Sequence, residues 1–177
     1  VTTHAARHEA GAVGAADGYA RATHGVGVCT ITWGPALTNA LTALTTARRG
    51  NTALVLVAGD SSTVPSQRSP FAAGTQAVDQ PRVLAAFDIP VVRAHPDTAT
   101  VDVASAFAQA RRLSRPIALL LPMEYLDLPA MKRDFDVTWN PVMPLVDALR
   151  KGLAMGADRA VLVSDDGAAG SDLVATG

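Results

Sequence analysis

Short apolar, β-branched runs alternate along this chain with alanine-rich stretches of helical period. Val26–Thr32, Ala53–Ala58, Ile89–Val92 and Ile117–Leu121 read as strands, the last closed by Pro122. Each is apolar at consecutive rather than alternate positions, so both faces need cover, as in a parallel sheet. Val1–Thr3 reads as the end of a further strand. Between them, Glu9–Ala22 places Ala12, Val13, Ala16 and Ala20 on one helical face, with Asp17 and Arg21 as an i,i+4 surface pair. Pro35–Arg48 opens on Gly34-Pro35 and stops before Arg49-Gly50. Thr98–Leu113 ends in two arginines that complement the helix dipole. This alternation predicts an α/β fold: an open parallel sheet with helices on both faces, joined by right-handed crossovers.

Two stretches break the period. Asp60–Gln80, rich in Ser, Thr, Pro, Gly and Gln, reads as one long loop after the carboxyl end of a strand. Such loops are uncommon in α/β domains unless they serve a ligand, and open sheets bind ligands at that end. The stretch 131–144, with Pro141 and Pro144, reads as a linker. Leu145–Met155 then reads as a helix and Arg159–Ser164 as a strand, ending in Asp165-Asp166-Gly167. The domain reading is therefore 1–130, a linker at 131–144, and a helix–strand piece at 145–177.

Composition narrows the class. The 177 residues are 49% hydrophobic and carry a formal net charge of −1. That is enough apolar material for a core and too little positive charge for nucleic acid or a membrane surface. No apolar run approaches the roughly 20 residues a membrane span needs. Cys29 is the single cysteine, which points to a reducing, cytoplasmic setting. The first residue is Val and the chain runs straight into an extended segment, so the expectation is a piece of something longer.

Two constellations could carry chemistry. Arg7-His8-Glu9 stands at a strand-to-helix junction, where the dipole favours a carboxylate by about 0.3–1 kcal/mol. On that ground alone, Glu9 is a helix-start residue with Arg7 as its salt-bridge neighbour. Trp33-Gly34-Pro35-Ala36, followed by Thr38-Asn39, carries a strand into a helix. A Gly-Pro bend there lets backbone approach a ligand, although an ordinary βα turn has the same pattern. His4, His24 and His95 are isolated, and Cys29 lies mid-strand as a core residue does.

Taken in order, these segments resemble the pyrimidine-binding (PYR) domain of thiamine-diphosphate-dependent enzymes, most closely the acetolactate synthase-like branch. The resemblance rests on Arg7-His8-Glu9, the Ala-Asp-Gly-Tyr-Ala-Arg-Ala-Thr run at 16–23, and the Gly34-Pro35 bend with Thr38-Asn39. It continues through the Val55–Gly59 strand, the long loop with Gln76 and Asp79 before a helix, and Ser114-Arg115-Pro116. It covers about residues 1–130. By this resemblance Glu9 is the catalytic acid: in the family the matching glutamate hydrogen-bonds N1′ of the aminopyrimidine, and the 4′-imino nitrogen then takes the C2 proton. Gly34, Pro35 and Asn39 would lie on the pyrimidine side, and Gln76 in the active-site loop. An acid walled by Ala, Gly and Val would hold its proton more readily than one in water. The family usually has Ser-Gly-Pro-Gly at the bend; here Trp33 is bulky and Ala36 adds a Cβ.

The resemblance also implies what the chain would need. The diphosphate and its Mg²⁺ are held in the family by a separate domain, often of a second, homologous subunit, so a homodimer is expected. The family's PYR domain opens with a strand and helix ahead of Arg7-His8-Glu9, so the domain is expected to be truncated at its N-terminus and inactive alone. Asp165-Asp166-Gly167 reads as a polar loop rather than a Mg²⁺ site. Residues 148–163, with Asp165-Asp166 and Gly170-Ser171-Asp172, resemble a segment of the electron-transfer flavoprotein β subunit, without its nucleotide-binding loop. The readings in hand are therefore a thiamine-diphosphate-binding part of a 2-oxo acid lyase or transferase, a non-catalytic remnant that packs on a homologous subunit, and a flavoprotein-like fragment.

Overall fold

Apolar side chains on both sides of every central strand need two helical layers, and the computed structural model provides them. It describes residues 3–63 and 77–123, and the backbone of 162–164. The elements are β1 (Thr3–Ala5), α1 (Glu9–Thr23), β2 (Gly27–Ile31), α2 (Pro35–Arg49), β3 (Leu54–Asp60), α3 (Gln80–Ala86), β4 (Val91–Arg93), α4 (Ala99–Leu113), β5 (Pro116–Pro122) and β6 (Leu162–Ser164). The strands form a six-stranded sheet in the order β1-β6-β2-β3-β5-β4. Every pairing is parallel.

Successive residues of one strand serve opposite layers, because side chains alternate across a strand. Leu54, Leu56 and Ala58 of β3, with Cys29 and Ile31 of β2, join Ala12, Val13, Leu37, Ala40, Leu44 and Leu84 in one core cluster. Val55 and Val57, with Ile117 and Leu119 of β5, join Val103, Ala106, Phe107 and Ala110 of α4 in the other. So α1, α2 and α3 cover one face and α4 the other. Leu37 and Leu44 are fully buried, and each contributes about 2 kcal/mol of hydrophobic stabilisation.

The helices begin and end where the sequence says they should. His8 caps α1, its imidazole accepting the Ala10 N–H at 3.1 Å, and His24 closes that helix in the left-handed region at φ 54°. Asp17 and Arg21 form the expected pair at 2.9 Å. Proline opens α2, where its missing N–H costs nothing. The start of β2 packs so close to α1 that a Cβ on Gly27 would stand 2.1 Å from the Ala16 carbonyl oxygen.

The strand read at Arg159–Ser164 is present at Leu162–Ser164, and its position is informative. It lies between β1 and β2, pairing Thr3 with Leu162 on one side and Val28 with Leu162 on the other. The linker, the Leu145–Met155 helix, the Asp165-Asp166-Gly167 turn and the flavoprotein-like match outside 162–164 lie beyond the described residues, as does Gln76. Among the described residues, no helix is long and apolar enough to cross a membrane.

Candidate functional site

All strands being parallel, their carboxyl ends share one edge of the sheet. Glu9 follows β1 there, Gly34 follows β2, and Asp60 ends β3. Glu9 is the first residue of α1, three residues after the half-buried Ala6. Its side chain is 16% exposed. Asn39, one turn into α2, donates its Nδ2 hydrogen to Glu9 Oε2 at 3.1 Å. This bond joins the first turns of two helices across 30 residues of sequence. It brings together two of the residues singled out above, with Gly34 and Pro35 at the start of the same helix.

The expected ion pair with Arg7 is not formed. Among the described residues no ion pair joins Arg7 to Glu9, and the His8 Nδ1 that lies 3.9 Å from Oε2 already accepts the Ala10 N–H. The difference has chemical weight. A guanidinium within about 4–6 Å would hold a carboxylate ionised. An asparagine amide is neutral and can turn either its N–H or its carbonyl to a partner. Asn39 thus orients the Glu9 carboxyl group. The Asn39 hydrogen bond falls on Oε2.

The bend itself is a glycine position. Gly34 has φ 62° and ψ −113°, in territory that an L side chain enters only under strain. Trp33 is half-buried, and its Cβ is the nearest atom, at 3.4 Å, to where a Cβ on Gly59 would stand. Ala36, the other departure from the family pattern, is 4% exposed and belongs to the core cluster with Leu37 and Ala40. Its methyl group is therefore spent on packing, and the departure fills the helix–sheet interface.

Sequence reading missed a polar network behind the bend. Gln80, placed at the edge of a loop, is 1% exposed and opens α3. Its Oε1 accepts the Gly34 N–H at 3.0 Å, while its Nε2 donates to the Gly59 carbonyl at 2.7 Å and to Asp60 Oδ1 at 3.1 Å. Asp60, 3% exposed, accepts from the Ser61 N–H at 2.9 Å and pairs through Oδ2 with Arg93 at 2.7 Å. The signal was present in Asp79-Gln80-Pro81, a capping residue and a proline around a glutamine that must therefore open a helix. The reach of that glutamine across 46 residues was not.

Among the described residues, no group of three or more His, Cys, Asp or Glu could hold a metal ion. The donor set at the corner of α1 and α2 suits an organic ring instead. It offers one partly shielded carboxyl group, one amide, and backbone at a glycine bend.

Comparison with known proteins agrees. Residues 1–83 match the family model described as thiamine pyrophosphate enzyme, N-terminal TPP binding domain. The chain is similar to human 2-hydroxyacyl-CoA lyase 2, 37% identical over 123 residues, which is 68% of this chain and 19% of that protein. It is also similar to an acetolactate synthase of Arthrospira platensis, 51% identical over 53 residues, 30% of this chain and 9% of that one. The fold matches the crystal structure of benzoylformate decarboxylase from Polynucleobacter necessarius with a TM-score of 0.54 at 24% identity, covering 75% of this chain and 24% of that chain. The chain thus spans about a fifth of the length of the human lyase and about a tenth of that of the acetolactate synthase. With a parallel sheet flanked by helices, and a glutamate, a glycine–proline bend and an asparagine at its carboxyl edge, the chain carries over residues 1–83 the N-terminal TPP binding domain of thiamine pyrophosphate enzymes.

Proposed function

We propose that the corner between the first turns of α1 and α2 seats the aminopyrimidine of thiamine diphosphate. Glu9 is the acid that faces the ring nitrogen, and Gly34, Pro35 and Asn39 line the same side; Gln76, outside the described residues, is the further cofactor-binding candidate. The observation that carries this reading is the 3.1 Å bond from Asn39 to Glu9. It aims a partly shielded carboxyl group through one oxygen and leaves the other to face the ring. Glu9 holds or delivers a proton at that oxygen. Asn39 keeps the carboxyl plane fixed, and the bend brings backbone, without a Cβ, to the ligand.

When bound, the cofactor supplies the chemistry by which a carbon–carbon bond beside a 2-oxo group is made or broken. The diphosphate and Mg²⁺ fall to a complementary domain, in the same polypeptide or in a homologous subunit of a dimer. The whole protein is then a lyase or transferase acting on 2-oxo acids, with its lone buried thiol suited to the cytoplasm. A second substrate class, 2-hydroxyacyl thioesters, is favoured by the greater extent of the match to the human lyase.

Titration calorimetry of the full chain tests the reading, with thiamine diphosphate and Mg²⁺ and with a homologous diphosphate-binding domain supplied. Saturable binding is expected. Glu9→Gln should then slow hydrogen–deuterium exchange at C2 of the bound cofactor by about 10²–10⁴-fold. Unchanged exchange would remove Glu9 from its role. No saturation, even with the partner domain, would favour a packing module instead.

A further inference from the structure

We propose that Gln80 is a positioning residue, which holds the bend at Gly34 and through α2 sets the aim of Asn39 on Glu9. The inference rests on the reading above for its consequence, and on the buried network for its mechanism.

Gln80 uses its full amide. Oε1 takes the Gly34 N–H, and the two Nε2 hydrogens go to the Gly59 carbonyl and Asp60 Oδ1, at 3.0, 2.7 and 3.1 Å. Turned over, the amide would set its NH₂ group against the Gly34 N–H and its carbonyl against two acceptors. The partners therefore fix its orientation. The residue is 1% exposed, so water cannot stand in for a lost bond without entering the core. Asp60 is held in turn by Arg93 from β4 and by the Ser61 N–H. The Gln80 tether thus runs from the ends of β3 and β4 to the peptide bond between Trp33 and Gly34.

That peptide is the one that most needs holding. Gly34 caps α2 with no side chain to take the free N–H groups of the first turn, and its φ of 62° lies where many conformations compete for glycine. Pro35 fixes the next φ, and the Gly34 carbonyl accepts from Leu37 at 3.0 Å. A rigid link therefore leads from Gln80 through Gly34 to the helix that carries Asn39. Gln80 acts without touching the ligand.

The test uses the full chain with Gln80→Leu, and Val103→Ala as a control. Val103 is 1% exposed and packs in the opposite layer, so its truncation lowers stability far from the bend. Amide hydrogen exchange and side-chain amide shifts are read by NMR. In Gln80→Leu the Gly34 amide should exchange about tenfold faster or more, as for a lost buried bond, and the Asn39 side-chain amide should shift. Val103→Ala should lower the melting temperature and leave both signals in place. Unchanged signals in Gln80→Leu, or equal changes in both variants, overturn the inference. If Gln80→Leu fails to fold, Gln80→Met is read in its place: its unbranched side chain fills a similar length but offers no carbonyl to Gly34 and no hydrogen to Gly59 or Asp60. Its Gly34 and Asn39 signals should then move in the same way, and unchanged signals sink the inference. Thiamine diphosphate affinity, measured with the partner domain, should fall about tenfold in Gln80→Leu and not in Val103→Ala. Absence of binding by the unaltered chain refutes the proposed function, while the exchange result still decides the role of Gln80.

Discussion

Each end of the parallel sheet holds an aspartate paired with arginine, and the two clusters are built on opposite principles. At the carboxyl edge, Asp60 is buried, with Arg93, the Ser61 N–H and Gln80 all converging on it. At the other end Asp88 lies in solvent between Arg48, in the last turn of α2, and Arg115, which precedes β5. The hydrogen bond from Arg48, aided by that guanidinium's charge and by Arg115, holds the Asp88 carboxyl below the ordinary carboxylate range. An exposed pair of this kind is screened and loosely specified. A buried polar network instead tolerates few geometries, because each unmet group costs free energy. The protein has thus placed its precise polar architecture where the ligand-facing bend begins, and its forgiving one where nothing needs aiming.

The comparison breaks most visibly at Gly27. It sits at the forgiving end, yet its tolerance is low for a steric reason: an added Cβ would meet the Ala16 carbonyl oxygen at 2.1 Å. Gly27→Ala should cost about 3 kcal/mol, read by urea denaturation, because neither backbone can yield cheaply. Arg93→Ala comes next. It leaves Asp60, with 4% of its side chain exposed, without its cation. The cost should be about 2 kcal/mol, below the figure for a wholly buried pair because the Arg93 side chain is 44% exposed.

Asp88→Asn sharpens the contrast from the weak side. A carboxyl whose folded pKa is depressed adds stability above its unfolded pKa and loses it as pH falls through the folded value. The melting temperature of Asp88→Asn should therefore lie slightly below that of the parent near neutrality. The gap should close on acidification through about pH 4 and below, where both side chains are neutral. High salt should shrink it as well. A gap that is constant with pH would mean that packing, and not charge, is what Asp88 provides. The smallest effect is expected at Val101, which is 66% exposed on α4; Val101→Lys should change stability by less than about 0.5 kcal/mol.

Much of this was legible in the residues. The helices at Glu9, Pro35 and Thr98 were placed to within a residue or so because their periods and punctuation are local. So were β2, β3 and β5, whose continuous apolar runs admit little else. Glu9, Gly34, Pro35 and Asn39 were picked out through their order along the chain, and the structure brings them to one corner. Read as a plain helix start, Glu9 would have Arg7 as its ion-pair neighbour; in the fold its hydrogen bond comes from Asn39 on another helix, a contact that adjacency in sequence does not contain. Gln80 and Asp60 were read as the ends of a loop because polarity in a sequence suggests water. Their burial follows from contacts 46 and 33 residues away, which no local pattern contains. The place of β6 in the sheet was hidden for the same reason.

That place has a consequence for how the molecule comes into being. Among the described strands, β1 meets the sheet through β6 alone, Thr3 lying beside Leu162. Thr3–Ala5 therefore settles only once Leu162–Ser164 is in place. Until then the strand leading to Glu9 has no neighbour to bind, and β2 shows a bare edge to any extended peptide nearby. The acid corner thus depends on a strand far along the chain, and an intermediate lacking β6 would have its core built and its chemistry still undone.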